Sequence, residues 1–70
     1  MKISYDESVD ALSIRFVEED TECRTVRLND RVAIDLGPDE ELVSLEILDA
    51  SESMPDLGDH GVSLENIPAA

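Results

Sequence analysis

The stretch from residue 42 to residue 51 constrains the fold more than any other, because apolar and polar residues alternate along its first half. Val43, Leu45 and Ile47 fall on one face of an extended strand, since successive side chains of a strand point to opposite sides. The residues between them are polar. Asp49 and the two residues after it then supply the local hydrogen-bonding groups that end strands. The pattern predicts a strand with one apolar face.

Four earlier segments show the same alternation, at residues 1–5, 11–17, 25–28 and 31–36. The connections between them are short and polar, and none has room for a crossover helix, so consecutive strands should pair antiparallel. The sequence therefore predicts a mainly β fold, an antiparallel meander of about five short strands with one apolar face. The class becomes α+β if the C-terminal tail is helical.

The sequence changes character after Ser51. We expect residues 1–51 to form the sheet domain and residues 52–70 to form a C-terminal tail that packs on or near the sheet. Ser51 or Ser53 is a candidate cap for a short helical turn, which Gly58 would end. Further along, residues 62–67 suit either one more helical turn or a short edge strand.

The predicted inward side of the sheet is larger than the tail that has to cover it. The tail offers five large apolar residues, interrupted by proline and glycine. The sheet offers thirteen, namely Ile3, Tyr5, Leu12, Ile14, Phe16, Val26, Leu28, Val32, Ile34, Leu36, Val43, Leu45 and Ile47. Of these we expect Ile14, Phe16, Ile34, Leu45 and Ile47 to be buried. A second copy of the chain is the economical way to complete the cover.

The length of the chain also favours association with a second copy. A domain of 70 residues buries only about 60% of the surface that its unfolded chain exposes. Cys23 is the only cysteine and His60 the only histidine, which excludes an intrachain disulfide and a Cys/His zinc site. Oligomerisation is the remaining way to gain stability. We therefore predict a homodimer.

The charge is the most unusual quantity, with 18 acidic residues against five basic ones and a formal net charge of −13. This excess disfavours direct nucleic-acid binding, which depends on cations meeting phosphates. Salt screens the self-repulsion, so the composition suits either a salty cytoplasm, hence a halophilic host, or an ordinary acidic protein. No apolar run approaches the about 20 residues of a membrane span. We expect a cytoplasmic protein with no membrane association.

Two segments carry a family resemblance: MKISYDESVDALSIRF at residues 1–16 and VSLEILDAS at residues 43–51. They resemble the uncharacterised prokaryotic family catalogued as domain of unknown function 2283, whose members similarly open with a strand and a YD-x-x-x-DAL hairpin and end the sheet in an IEILDAS-like segment. The resemblance implies no activity, because the family has none established. The tail after residue 51 departs from the longer amphipathic helix expected in that family.

Clusters of carboxylates are the first candidate sites. Tyr5, Asp6 and Asp10 surround the first hairpin, while Asp35, Glu46 and Asp49 lie near later strand ends. Close carboxylates bind Mg²⁺ or Ca²⁺, or separate their pKa values into an acid and a base. With so many acids, chance proximity is expected. We interpret Asp6 and Asp49 as turn and cap acceptors.

The remaining candidates are also interpreted structurally. Cys23 follows an acidic loop, and no histidine near it in sequence can act as its base, so we expect a free thiol. His60 is expected to be solvated. Arg15 and Arg27 are expected to form cross-strand ion pairs with Glu46 and Asp35. The sequence thus assigns no catalytic, cofactor-binding or metal-binding residue, and no cofactor.

Three classes of function are compatible with these observations. The favoured one is a small non-enzymatic interaction or structural domain that self-associates through its sheet. The second is an acidic partner module that neutralises a basic protein, as in antitoxin-like pairs. The third is a carboxylate- or metal-dependent enzyme, which the missing nucleophile and base disfavour.

Overall fold

The computed structural model describes residues 1–66, which form one antiparallel sheet followed by two short helices. The elements are β1 (Lys2–Asp6), β2 (Ala11–Arg15), β3 (Arg24–Arg27), β4 (Val32–Leu36), β5 (Leu42–Ile47), α1 (Ala50–Ser53) and α2 (Pro55–His60). The predicted mainly β class, with five antiparallel strands and short helical turns after them, is confirmed.

The strands lie in the order β1-β2-β5-β4-β3. Consecutive strands are neighbours within the β1–β2 hairpin and within the β3–β4–β5 segment. The order departs from that of a simple meander at one connection, since β2 pairs with β5 while β3 lies at the far edge. The exposed chain between Arg15 and Arg24 is long enough to cross this distance. As a result β5, the longest strand, takes the centre of the sheet.

The register places apolar residues from all five strands on one face. Directly opposed residues share a face, and one row across the sheet consists of Ile3, Ile14, Leu45, Ile34 and Val26. A second row consists of Tyr5, Leu12, Ile47 and Val32. We call this side the apolar face. The other side, the polar face, includes the row Lys2, Arg15, Ser44, Asp35 and Thr25.

The two helices cover one end of the apolar face, and we call them the lid. Ala50 is completely buried and forms the core with Leu12 and Ile47, which are 2% and 8% exposed. Met54 and Leu57 pack against this cluster and are themselves partly buried. The lid therefore covers Leu12 and Ile47 in the middle of the second row, whereas Tyr5 at its β1 edge is 46% exposed.

Burial differs from expectation at the other end of the sheet. Ile47 is buried as predicted, while Ile14, Ile34 and Leu45 are only half-buried. Phe16 is exposed, so its predicted burial is wrong. The physical reason is size, since two helices of four and six residues are too short to reach across five strands.

The helix boundaries also correct the sequence interpretation. Gly58 lies inside α2, where added side-chain volume would meet open space, and the helix ends at Gly61 with φ 67°. Neither Ser51 nor Ser53 is the N-terminal cap of α1, because Asp49 occupies that position. Residues 62–66 form neither helix nor strand, and residue 67 lies outside the described part. The division at residue 51 stays a prediction. Neither helix within residues 1–66 has the length and apolar character needed to cross a bilayer.

Candidate functional site

The uncovered part of the apolar face is the main candidate for a functional surface. Phe16, Val26 and Leu28 are 36%, 37% and 68% exposed, and Ile34 and Leu45 between them are half-buried. We call these five residues the open patch. They extend from the residue after β2 across β5, β4 and β3 to the residue that follows β3. Val43, which lies beside Phe16 on the same face, is 2% exposed. Contiguous apolar surface of this kind marks interaction sites in soluble proteins.

The dimensions of the protein fit an incompletely covered sheet. Its accessible surface is 5648 Å², whereas a compact monomer of this mass exposes about 4,300 Å². Its radius of gyration is 13.6 Å, against about 11 Å for a compact domain of this length. Part of the excess area comes from the exposed residues 61–66 and part from the apolar face.

An apolar groove runs beside the lid. It has a volume of about 310 Å³ and lies between the β1–β2 hairpin and α2. Its lining is mostly apolar, from Ile3, Tyr5, Leu12, Leu57 and Val62. Ile3 and Tyr5 are more than two-fifths exposed. The groove therefore continues the exposed apolar surface along the other edge of the sheet.

Asp10 forms the most connected polar cluster of the structure. Its Oδ1 accepts hydrogen bonds from the Tyr5 hydroxyl at 2.6 Å and from the Ser51 backbone N–H at 3.1 Å. Its Oδ2 accepts one from the Ser51 hydroxyl at 2.7 Å. The Asp10 carbonyl accepts a further bond from the Ala50 N–H at 3.0 Å. One residue of the first hairpin thus holds the N-terminus of α1.

This cluster is a structural clamp between hairpin and lid. The first backbone N–H groups of a helix lack partners within the helix, and a carboxylate oxygen is a favourable acceptor for them. The hydrogen bonds from Tyr5 and Ser51 lower the pKa of Asp10, and the bond to Asp10 raises the pKa of Tyr5. Asp10 itself has φ 51°, a left-handed conformation that aspartate tolerates better than most residues. Asp10 lies far from α1 in the sequence, so a search for capping residues next to the helix does not identify it.

The other predicted carboxylates divide into separate small interactions. Asp6 accepts from the Ser8 N–H at 3.0 Å and from its hydroxyl, which confirms a turn role and lowers the pKa of Asp6. Asp35 accepts from Ser44 and Thr25, both at 2.6 Å, and these bonds lower the pKa of Asp35. Glu46 is exposed on the polar face.

Asp49 does not cap α1 with its side chain, so that prediction is wrong. It has φ 49°, and its carboxylate lies 3.5 Å from Nε of Arg31. Within residues 1–66, no group of three or more Asp, Glu, His or Cys side chains is arranged to hold a metal ion.

Cys23 is an exposed free thiol, as expected. His60 is also exposed, with Nε2 at 3.4 Å from Asp56 Oδ1 one helical turn earlier. The predicted cross-strand pairs of Arg15 and Arg27 are wrong. Arg15 lies at the end of β2 and binds the Glu19 carbonyl at 3.0 Å and Asp20 at 3.4 Å in the following loop.

No ion pair of Arg27 occurs among the described residues. Its row on the polar face places Ala33 between it and Glu46, which separates the two charges by an entire strand.

Comparison with known proteins gives one match. Residues 2–51 match the family model described as protein of unknown function (DUF2283). The chain belongs to this family. The DUF2283 match ends at the second residue of α1, so it includes the whole sheet and excludes most of the lid. No curated protein and no solved structure matches the chain.

The structure explains why the two family-like segments occur together. In this DUF2283 chain, the hairpin segment supplies Tyr5 and Asp10, and the later segment supplies Ala50 and Ser51. Their hydrogen bonds join the two segments across 41 positions of sequence. The residues that carry the resemblance therefore include those of the structural clamp.

Proposed function

We propose that this protein is a small non-enzymatic interaction or structural domain that self-associates through the open patch of its sheet. The observation that carries the proposal is the half-covered apolar face, with Phe16, Val26 and Leu28 exposed beside a buried cluster at the lid.

A second copy is the occupant that the surface areas favour. The chain exposes roughly 1,300 Å² more than a compact monomer of its mass, as the difference between 5648 Å² and about 4,300 Å². A standard protein interface buries about 800 Å² on each partner. Exposed residues 61–66 contribute part of this difference, so it is an upper limit on the area that the open patch can supply to such an interface. Two sheets stack face to face at about 10 Å. In a two-fold dimer one patch serves both copies.

The carboxylates support a structural role. Asp10 uses its side-chain and main-chain oxygens to hold the lid, while Asp35 bridges β3 and β5 through Thr25 and Ser44. These acids have partners within the fold that account for their positions. The exposed thiol of Cys23 is compatible with a reducing compartment, and a cytoplasmic location is part of this proposal.

Sedimentation equilibrium of the wild-type chain and two lysine variants tests the proposal. Val26→Lys places a cation in the open patch, whereas Val9→Lys places one in the first hairpin loop, where Val9 is 65% exposed. Both variants reduce the net negative charge equally. Burial of the patch predicts that Val26→Lys weakens association by at least about tenfold, although charge alone would strengthen it.

Val9→Lys is the matched control and should leave the dimer intact. Circular dichroism confirms that both variants remain folded. A monomeric wild type at tens of micromolar in every salt concentration contradicts the proposal, as does a Val26→Lys protein that associates as tightly as Val9→Lys.

An acidic module that binds a basic protein is the second candidate. Glu22 and Glu40 line a shallow cavity with Leu36 at the end of the sheet, so carboxylates border the apolar face. A basic partner using this border should bind less tightly as salt rises. Purification from the host at matched salt tests this, and a stoichiometric basic protein released by salt would favour it over self-association.

A further inference from the structure

We propose that ionic strength controls the self-association, so that the protein is mainly monomeric at low salt and dimeric at high salt. The inference rests on the proposed function, because it concerns the same open patch and a second copy of the same chain.

The long-range force between two copies is repulsive. Each chain has a formal net charge of −13, and at long range the net charges determine the sign of the force. The Debye length is about 10 Å at 0.1 M salt and about 3 Å at 1 M salt. Charges separated by the thickness of a sheet pair therefore interact at the lower concentration and are screened at the higher one.

Acidic side chains lie at one end of the sheet that carries the open patch. Glu22 and Glu40 line the cavity at the end of β3 and β4, together with Arg24 and Leu36. In the β3–β4 register Arg24 lies directly opposite Leu36. We call Glu22 and Glu40 the acidic border. In a two-fold stack whose axis passes close to this end of the sheet, the border of each copy faces that of the other.

Few cations compensate the negative charge of the acidic border. Arg24 forms an ion pair with Glu40, and this pairing raises the pKa of Arg24 and lowers that of Glu40. Glu22 forms no ion pair among the described residues. Asp39 and Glu41 add further negative charge in the adjacent β4–β5 turn. The border therefore remains negative after Arg24 is counted.

The response to salt distinguishes this dimer from one held by ion pairs. Burial of apolar side chains is not weakened by simple salts, whereas attraction between opposite charges is. Apolar contact opposed by like charges must therefore tighten as salt rises. A contact between basic and acidic surfaces must loosen.

Sedimentation equilibrium of the full chain in KCl measures the dissociation constant at about 0.1 M and about 1 M salt. We expect the dimer to tighten by at least about tenfold across this range, as the Debye length falls from about 10 Å to about 3 Å. Two double variants of equal net charge locate the effect. Glu22→Gln with Glu40→Gln neutralises the border, and Glu7→Gln with Glu46→Gln neutralises acids in the first hairpin loop and on the polar face.

We expect the border variant to associate more tightly than wild type at low salt and to lose most of the salt dependence, while the control variant keeps most of it. A dimer whose affinity is independent of salt, or falls with salt, overturns the inference and leaves self-association intact. Equal behaviour of the two double variants overturns the role of the border. Absence of a dimer in any salt overturns the proposed function itself.

Discussion

The two ends of the apolar face differ in how they are covered. At one end Leu12 and Ile47 are buried beneath Ala50, Met54 and Leu57 of the lid. At the other end Phe16 and Val26 belong to the same face and are more than a third exposed. The strands and their alternation are the same at both ends, so local sequence pattern does not determine burial. What differs is what lies over each residue, which only tertiary structure or a partner supplies. The lid packs on Leu12 and Ile47, whereas Val43, beside Phe16 on the same face, is 2% exposed although it lies outside the cluster at the lid.

The largest expected effect is at the covered end. Ile47→Ala removes a side chain that is 8% exposed, and large-to-small changes in a core cost about 2–4 kcal/mol of unfolding free energy. Val26→Ala should cost about 1 kcal/mol or less when the protein is dilute enough to be monomeric. Urea titration of both variants measures the difference.

Ile47→Val provides a milder version, with an expected cost of about 1 kcal/mol, in case Ile47→Ala does not fold. Equal urea midpoints for Ile47→Ala and Val26→Ala in dilute solution would show that the lid does not distinguish the two ends.

A smaller effect is expected where the lid is attached. Asp10→Ala removes the acceptor for Tyr5 and Ser51 and should lower the urea midpoint less than Ile47→Ala does. Hydrogen exchange should accelerate at the Met54 and Leu57 amides, which are bonded within the lid. Asp6→Ala is the matched control, because the Asp6 side chain accepts its hydrogen bonds from Ser8 in the first hairpin and not from the lid. Unchanged lid exchange in Asp10→Ala would contradict the clamp.

The smallest expected effect is a difference in pH dependence. The pKa of Asp10 is lowered in the folded state by bonds from Tyr5 and Ser51. Its contribution to stability is therefore complete above the unfolded pKa of about 3.9 and is lost as pH falls through the folded pKa. The urea midpoint of wild type should approach that of Asp10→Asn as pH falls from about 5 to below 4. The comparison is needed because protonation of other acids relieves repulsion in both proteins. A constant difference between the two midpoints down to pH 3 would exclude this role of Asp10.

Much of the sheet could be predicted from sequence. The period-two pattern located five strands, and the register places the predicted apolar residues of each strand on one face. The pairing of β2 with β5 was not predictable, because neither strand carries a local signal for its partner. The end of α2 was also predicted wrongly. The helical turn was expected to end at Gly58, but Gly58 lies inside α2 and Gly61 ends the helix.

The candidate site was only partly predictable. The excess of apolar face over cover is visible in the composition of the tail, and Tyr5, Asp6 and Asp10 are visible as a cluster. The bonds from Asp10 to Ser51 join residues 41 positions apart, so no local capping rule identifies them. Burial of Phe16 was predicted wrongly because alternation specifies a face and not what lies against it.

The strand order also has a consequence for how the chain assembles. The β1–β2 hairpin and the β3–β4–β5 segment each form by pairing strands that follow one another. Within residues 1–66, the β2–β5 contact is the only strand pairing between the two units. Loop-closure entropy costs about 0.6 kcal/mol more for each doubling of loop length. Docking of β2 on β5 is therefore the topologically slow event. A break in the acidic loop between β2 and β3 would leave two fragments, each carrying one side of the Asp10–Ser51 contact.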